Sequence, residues 1–134
     1  MKDKGIPITL DTDRNLIFTL NVLEKCVQRY GKMDNILNES LKNVTEIKWL
    51  ATEMLNEDAE IWNDEHPDNK KQLLTEKKLG RYITGIGGAN ELLNKVQKAM
   101  LAGLPEDKVK EVEDMAEEIE KNLMAAQRKK ISGK

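Results

Sequence analysis

The residue types best suited to metal or proton chemistry lie together in one polar segment, which holds Asp64, Glu65, His66 and Asp68. A zinc site needs three or four closely placed histidine, cysteine or carboxylate ligands, and His66 is the only histidine of the chain. Pro67 and the polar neighbours are typical of a solvated turn. The acids of this region also lack the glycine and the final glutamate of a calcium loop. We therefore expect no metal site and no cofactor.

Two other features invite comparison with catalytic sites. Cys26 could act as a nucleophile with His66 as its base, but it lies on the inner side of a predicted helix, where a small apolar residue packs well. The segment Gly85–Gly88 precedes a helix, as phosphate-binding loops do. No Gly-Lys-Ser/Thr follows it, and the residues before it are helical in pattern, so neither nucleotide-binding fingerprint is met. We interpret its glycines as the end of one helix and a tight turn, and we expect no enzyme.

Composition indicates one helical domain packed mainly by aliphatic side chains. The chain has 134 residues, of which 39% are hydrophobic and 34% charged. Its net charge of −2 supplies no field for binding nucleic acid or an anionic membrane. A single cysteine fits a reducing compartment. Because no apolar run is long enough for a signal peptide or a membrane span, we expect a cytoplasmic protein without a membrane partner.

The first elements are predicted from apolar alternation and capping residues. Ile6, Ile8 and Leu10 alternate with polar residues or proline, which predicts a short strand. The caps offered by residues 11–13 then predict a helix that ends at Gly31. Its inward line is predicted to consist of Leu16, Leu20, Leu23, Val27 and Tyr30. A neighbouring line of Phe18, Val22 and Cys26 widens the apolar surface, so this helix should be central to the core.

Further helices follow at intervals set by caps, glycines and proline. A helical turn at 33–37 and a polar connection at 38–43 lead to a long helix capped by Asn43 or Thr45, with Pro67 as its latest end. Its broad inward face is predicted to include Ile47, Leu50, Ala51, Met54, Leu55, Asp58, Ile61 and Trp62. Residues 63–72 are predicted to form a loop, Thr75 to cap a short helix, and a further helix to begin at Gly88 or Asn90 and end at Gly103. The inward residues of that further helix are predicted to be Leu92, Leu93, Val96, Ala99 and Met100.

The fold predicted from these patterns is mainly α, a small helical domain of four to five helices with a short N-terminal β segment. It is one domain over residues 1–134, with a core at 6–103 and a long amphipathic helix at 104–130. This last helix carries apolar residues at alternating steps of three and four: Val109, Val112, Ala116, Ile119, Leu123 and Ala126. Such a narrow stripe suits either packing across the domain's own bundle or a docking or self-association helix.

The order of elements resembles that of the tail assembly chaperones of long-tailed bacteriophages and prophages. It runs from a short β stretch through D-x-x-R-N-L-x-F-x-L-N-V-L and a later Y-G to an apolar turn and a helix with an E-D pair. Similarity covers about residues 6–103. The matching positions are Ile8, Leu10, Asp11, Arg14, Leu16, Phe18, Leu23, Glu24, Gly31, Ile36, Leu50, Ala51, Glu57, Asp58, Leu73, Thr75 and Leu79.

The resemblance implies a non-catalytic role in the host cytoplasm. Such chaperones keep the long, aggregation-prone tape measure protein soluble until tail tube subunits polymerise around it and displace them. The tape measure protein is thus the expected partner, the tail tube protein is a second one, and self-association is a further expectation. The alternative is a small helical DNA-binding or regulatory phage protein. Its recognition helix would carry only Lys95 and Lys98, so nucleic-acid binding is disfavoured.

A chaperone for a helical client needs exposed apolar residues, and methionine adapts to varied partners. Trp49 and Trp62 are separated by about 140° around one helix, so they cannot both face the same core. Whichever is exposed is a candidate contact. The candidate partner-binding residues are Trp49, Trp62, Met100, Val112, Met115, Ile119, Leu123 and Met124.

Overall fold

The structure, a computed structural model, describes residues 5–32, 36–102 and 121. In chain order its elements are β1 (Ile6–Thr9), β2 (Asp13–Leu16), α1 (Leu20–Tyr30), α2 (Ile36–Ser40), α3 (Val44–Glu65), α4 (Glu76–Tyr82) and α5 (Gly85–Leu101). A mainly helical fold of five helices behind a short β segment is thereby confirmed for the described residues. The chain divides into two compact units, Met1–Ala102 and Gly103–Lys134. The helix predicted over 104–130 lies outside the described residues, apart from Lys121.

The N-terminal segment folds as a β-hairpin, and the prediction that a helix starts at residues 11–13 is wrong. β1 and β2 pair antiparallel, with Ile8 opposite Arg14. Thr9 Oγ1 donates a hydrogen bond to Asp13 at 3.0 Å across the turn. Aspartate and threonine cap helices, but they stabilise turns by the same side-chain hydrogen bonds. Pairing with β1 decides between the two, and it buries Arg14 and Leu16 on one face of β2.

Helix α1 therefore begins later than predicted and buries a different face. Thr19 is its N-cap, whose hydroxyl accepts from the Val22 N–H, and Gly31 ends it with φ of 93°. Val22 and Cys26 are buried, as the neighbouring apolar line predicts. Leu20 is 78% exposed, so its predicted inward position is wrong. Residues 13–16 form a strand, so Leu16 is not part of the helix. The apolar line predicted to start at Leu16 therefore does not mark the buried face of α1.

Helix α3 is the central element of the fold. Of the two predicted caps, Asn43 is the one that begins it, since its side-chain oxygen accepts from the Glu46 N–H at 2.9 Å. It ends at Glu65, shortly before the proline. It contacts β2, α1, α2, α4 and α5. Its buried residues are Ile47, Leu50, Ala51, Thr52, Met54, Leu55 and Ala59. Ile61 is exposed, which contradicts its predicted inward position, because the last turns of α3 extend beyond the core.

The connections around α2 and α5 also differ from prediction. The segment expected to be a polar connection contains the end of α2 and then Leu41, which is fully buried. Gly85 begins α5, so the glycines at 85–88 form its first turns instead of ending α4. Gly85 takes φ of 72°, a conformation that suits glycine, and this allows the sharp entry into α5.

Two predictions about the last described elements are confirmed. Thr75 caps α4 by accepting from the Lys78 N–H at 3.1 Å. The inward residues of α5 are buried as expected: Leu92, Leu93, Val96, Ala99 and Met100. Among the described residues, no helix combines the length and the apolar character that crossing a membrane requires.

Candidate partner-binding surfaces

Trp49 is half-buried in a cluster between α1 and α3. The Tyr30 ring meets it edge-on with centroids 5.9 Å apart, and the Arg29 guanidinium lies 4.5 Å from its centre. Glu46 organises these partners, because its carboxylate accepts from Arg29 at 2.8 Å and from the Tyr30 hydroxyl at 2.7 Å. The Arg29 hydrogen bond lowers the pKa of Glu46. The exposed part of Trp49 thus lies in a preformed surface of residue types common at binding hot spots.

Trp62 has a different environment, in which its polar and aromatic groups are already engaged. Its Nε1 donates to the Asn69 carbonyl at 2.8 Å, and its ring stacks on His66 with centroids 3.6 Å apart. The Lys71 ammonium lies 4.4 Å from the ring centre. Trp62 therefore holds the loop after α3 against the helix.

The other predicted partner residues divide into one buried residue and a group whose surroundings are not described. Met100 is only 7% exposed because it lies on the inward face of α5 with Val96 and Ala99, so it offers little surface to a partner. The remaining candidates lie outside the described residues: Val112, Met115, Ile119, Leu123 and Met124. Their binding role stays a prediction.

Several polar residues of the hairpin, the start of α1 and α3 form hydrogen bonds with one another and with the chain after α3. The buried Arg14 donates from Nε and Nη2 to the Asp11 carboxylate at 2.7 and 2.8 Å, and Nη2 also reaches the Gln72 carbonyl at 2.8 Å. This pairing lowers the pKa of Asp11, mainly through the hydrogen bond from Arg14. Glu57 accepts from the Thr19 hydroxyl at 2.7 Å. These contacts join the hairpin and the start of α1 to α3 and to the chain after it.

Asp58 joins the same cluster in a less favourable environment for its charge. Its carboxylate accepts from the Asn15 N–H of β2 at 3.2 Å. Burial raises its pKa, and the hydrogen bond from Asn15 and the charges of Lys71 and Arg14 oppose that shift only in part. The sequence pattern places Asp58 on an inward face but carries no sign of its partners, which come from a strand over 40 residues away.

A cleft of about 840 Å³ lies beside this cluster, between the hairpin and the loop after α3. Asp11, Arg14, Asp58 and Trp62 are among its lining residues. The polar groups of these residues mostly bond one another or the backbone, so the cleft is a place where elements join. Arg14 Nη1 is buried without a partner in the described part of the chain.

A smaller apolar groove lies where α3, α4 and α5 meet, and we name it the α3–α5 groove. Its volume is about 260 Å³, and Ile47, Leu79 and Leu92 form its buried floor. Val44 lines it and is 62% exposed. Gly80 also lines it, which leaves one side open. The sequence carries no signal for this groove, because its parts lie up to about 50 residues apart and meet only in the fold.

Other candidate sites have structural explanations within the described residues. His66 stacks on Trp62, and no group of three or more histidine, cysteine or acidic residues in the described chain could hold a metal. Burial raises the pKa of the Cys26 thiol to about 11, which suits packing better than nucleophilic attack. Lys95 donates to the Pro7 carbonyl at 3.1 Å and lies near Glu91. Lys98 remains the exposed lysine of the two that a DNA-reading helix would use.

The chain matches no protein-family model, no curated protein and no solved structure.

Proposed function

We propose that the protein is a non-catalytic tail assembly chaperone of a long-tailed phage or prophage. It would bind the tape measure protein and hold it soluble in the host cytoplasm until tail tube subunits assemble around that client. The observation that carries the proposal is the α3–α5 groove, an apolar surface without the paired acid, base or nucleophile of an active site. Apolar grooves between helices commonly receive the apolar face of a partner helix.

Exposed apolar side chains near the groove support a client-binding role. Val44 is 62% exposed on its rim, and Ile86, which follows the groove residue Gly85, is 56% exposed. An exposed β-branched side chain on the rim of an apolar concavity favours contact with another molecule, and Ile86 adds a second exposed apolar side chain in the first turn of α5. Of the matched polar positions, Arg14, Glu57 and Asp58 instead take part in hydrogen bonds between elements, which fits a scaffold role more than a binding site.

The test is coexpression of the full chain with the tape measure protein of the same phage or prophage. We expect the client to move from the insoluble to the soluble fraction and to copurify with the chain. The double substitution Val44→Asp and Ile86→Asp should abolish this effect, because it charges the exposed apolar surface. Both positions lie in the first turn of a helix, where an acidic residue is favourable, so the fold should persist.

The matched control is Leu20→Asp, which makes the same kind of change at an exposed first-turn residue of α1. This variant should keep the client as soluble as the unchanged chain does. A client that stays insoluble with the unchanged chain, or that is equally soluble without it, would refute the proposed function.

A further inference from the structure

We propose that the α3–α5 groove selects an acidic amphipathic helix of its client. An apolar side chain of that helix would enter the groove, and an adjacent carboxylate would meet Lys48 and the N-terminus of α5. This inference rests on the proposed chaperone function and specifies the chemistry of the client segment.

The size of the groove suits side chains of a protein partner. Its volume of about 260 Å³ lies below the roughly 300–1,000 Å³ that is usual for small-molecule sites. Its floor of Ile47, Leu79 and Leu92 is buried and apolar, so it rewards insertion of an aliphatic side chain. The exposed Val44 extends this apolar surface beyond the groove, so a partner can make further apolar contacts there.

The walls of the groove favour a helix over an extended peptide. They come from α3, α4, α5 and the short α4–α5 connection. The main-chain N–H and C=O groups of helices mostly bond one another, so they are not free to pair with an extended peptide. Strand addition needs a row of free N–H and C=O groups along a sheet edge, and none of the described residues lining this groove belongs to β1 or β2. A helix can instead present apolar residues at steps of three and four to a groove between helices.

Lys48 gives the groove its charge. Of the described residues that line the groove, it is the one with an ionisable side chain. Its Cδ and Nζ atoms would lie 3.6 and 3.8 Å from a Cβ placed on Gly80, so the ammonium lies beside the open side of the groove. None of the salt bridges among the described residues includes Lys48. Its ammonium is placed to meet a carboxylate of a partner that enters the groove.

The start of α5 adds a second positive contribution. Thr84 is the N-cap of this 17-residue helix but makes no side-chain hydrogen bond to it, and the first turn contains no acidic residue. Gly85, the first residue of α5, lines the groove. The first N–H groups of a helix lack partners inside it and carry the positive end of its dipole. Together with Lys48, they make an apolar groove that favours a negatively charged neighbour over a positively charged one.

A pair of synthetic peptides tests this selectivity with the full chain. The probe is a fluorescein-labelled amphipathic helix of about 14 residues, with leucine at steps of three and four and glutamate on both flanks. Its twin carries lysine in place of every glutamate. By fluorescence anisotropy, we expect the glutamate peptide to bind at least about tenfold more tightly than its twin.

Two substitutions locate the binding in the groove. Lys48→Glu should weaken the glutamate peptide by about tenfold or more and should strengthen the lysine twin. Gly80→Leu should weaken both peptides, because the added side chain fills the open side while helix propensity improves. Lys70→Glu changes the net charge equally on the exposed loop and should leave both affinities unchanged. Circular dichroism checks that each variant is folded.

Three results would overturn the inference. Equal affinity for both peptides would show that the groove does not select by charge. Binding that neither Lys48→Glu nor Gly80→Leu changes would show that the peptide binds outside the groove. Self-association on size exclusion that Lys48→Glu abolishes would assign the groove to a second copy of the chain.

Coexpression separates this inference from the proposed function. If the unchanged chain and Lys48→Glu solubilise the tape measure protein equally, the inference fails and the chaperone proposal stands. If the glutamate peptide binds as expected but the unchanged chain does not solubilise the client, the groove chemistry stands and the chaperone proposal fails.

Discussion

The carboxyl groups of Asp11 and Asp58 show how the local environment decides whether ionisation stabilises or destabilises the fold. Asp11 receives two hydrogen bonds from the buried Arg14 guanidinium, and its pKa is lowered. Asp58 is desolvated and receives one weaker hydrogen bond from the Asn15 backbone, and its pKa is raised. Ionisation therefore stabilises the fold at Asp11 and destabilises it at Asp58.

We expect Asp58→Asn to increase the free energy of unfolding at neutral pH. A folded-state pKa above the unfolded value of 3.8 means that the folded protein binds this proton more tightly, so stability falls as pH rises from 3.8 through the folded pKa. The asparagine oxygen can still accept from the Asn15 N–H. Urea denaturation at neutral pH and near pH 4 measures the effect, which should shrink at the lower pH.

Asp11→Asn is the matched control for this pH dependence. Its stability contribution is present above the unfolded pKa of 3.8 and is lost as pH falls through the lower folded pKa. This variant should therefore lose stability at neutral pH and approach the unchanged chain in acid. If Asp58→Asn is instead less stable than the unchanged chain at neutral pH, the charge of Asp58 stabilises the fold and the expected sign is wrong.

At the scale of elements, α1 shows that an apolar pattern does not by itself choose a buried face. Its sequence offers two apolar lines, and the fold buries Val22 and Cys26 while Leu20 stays 78% exposed. Thr19 begins the helix and also donates to Glu57 on α3, so a single residue sets both the start of α1 and its docking. The rotation of α1 about its axis follows from that docking.

We expect substitutions on the two lines of α1 to differ sharply in their effect on stability. Val22→Ala should reduce the free energy of unfolding by about 2 kcal/mol, because it removes two buried methyl groups and leaves a cavity. Leu20→Gln should change it by no more than about 0.5 kcal/mol, since the side chain is already in solvent. Urea denaturation followed by circular dichroism compares the two. Similar losses at both positions would mean that the buried face is assigned incorrectly.

At the scale of the described unit, the chain after α3 is held in place by two asparagines of that helix. Asn63 exchanges two hydrogen bonds with the Lys71 backbone at 2.6 and 3.0 Å. Asn56 does the same with the Leu74 backbone at 2.7 and 2.8 Å. Seven residues apart, they lie on nearly the same side of α3. Between these anchors the Gln72 carbonyl accepts from Arg14, so the segment connects α3 to the hairpin.

We expect Asn56→Ala to cost about 2–3 kcal/mol of unfolding free energy. It would leave the N–H and C=O of the buried Leu74 without partners, and desolvated backbone groups are costly when unpaired. Chemical denaturation measures the loss, and amide hydrogen exchange at Leu74 should accelerate. Asn94→Ala, at an exposed position of α5, is the control and should have little effect. Equal stability of the two variants would show that the Asn56 anchor is not important.

The sequence by itself determined the features that depend on neighbouring residues. The cap at Thr75, the stop at Gly31 and the strand around Ile8 are predicted correctly, and Asn43 is one of the two caps predicted for α3. Capping hydrogen bonds span only a few residues, and apolar periodicity reflects the geometry of one element. The helical class and the order of most elements follow from such signals.

Only the tertiary structure decided which of several locally acceptable states was adopted. Asp11 and Asp13 could cap a helix or form a turn, and pairing with β1 selected the turn. The glycines at 85–88 could end α4 or begin α5, and packing of α5 against α3 and the hairpin accompanies the second state. Burial, strand register and grooves depend on residues brought together from distant parts of the chain. For that reason the burial of Arg14 and the α3–α5 groove had no recognisable signal in the sequence.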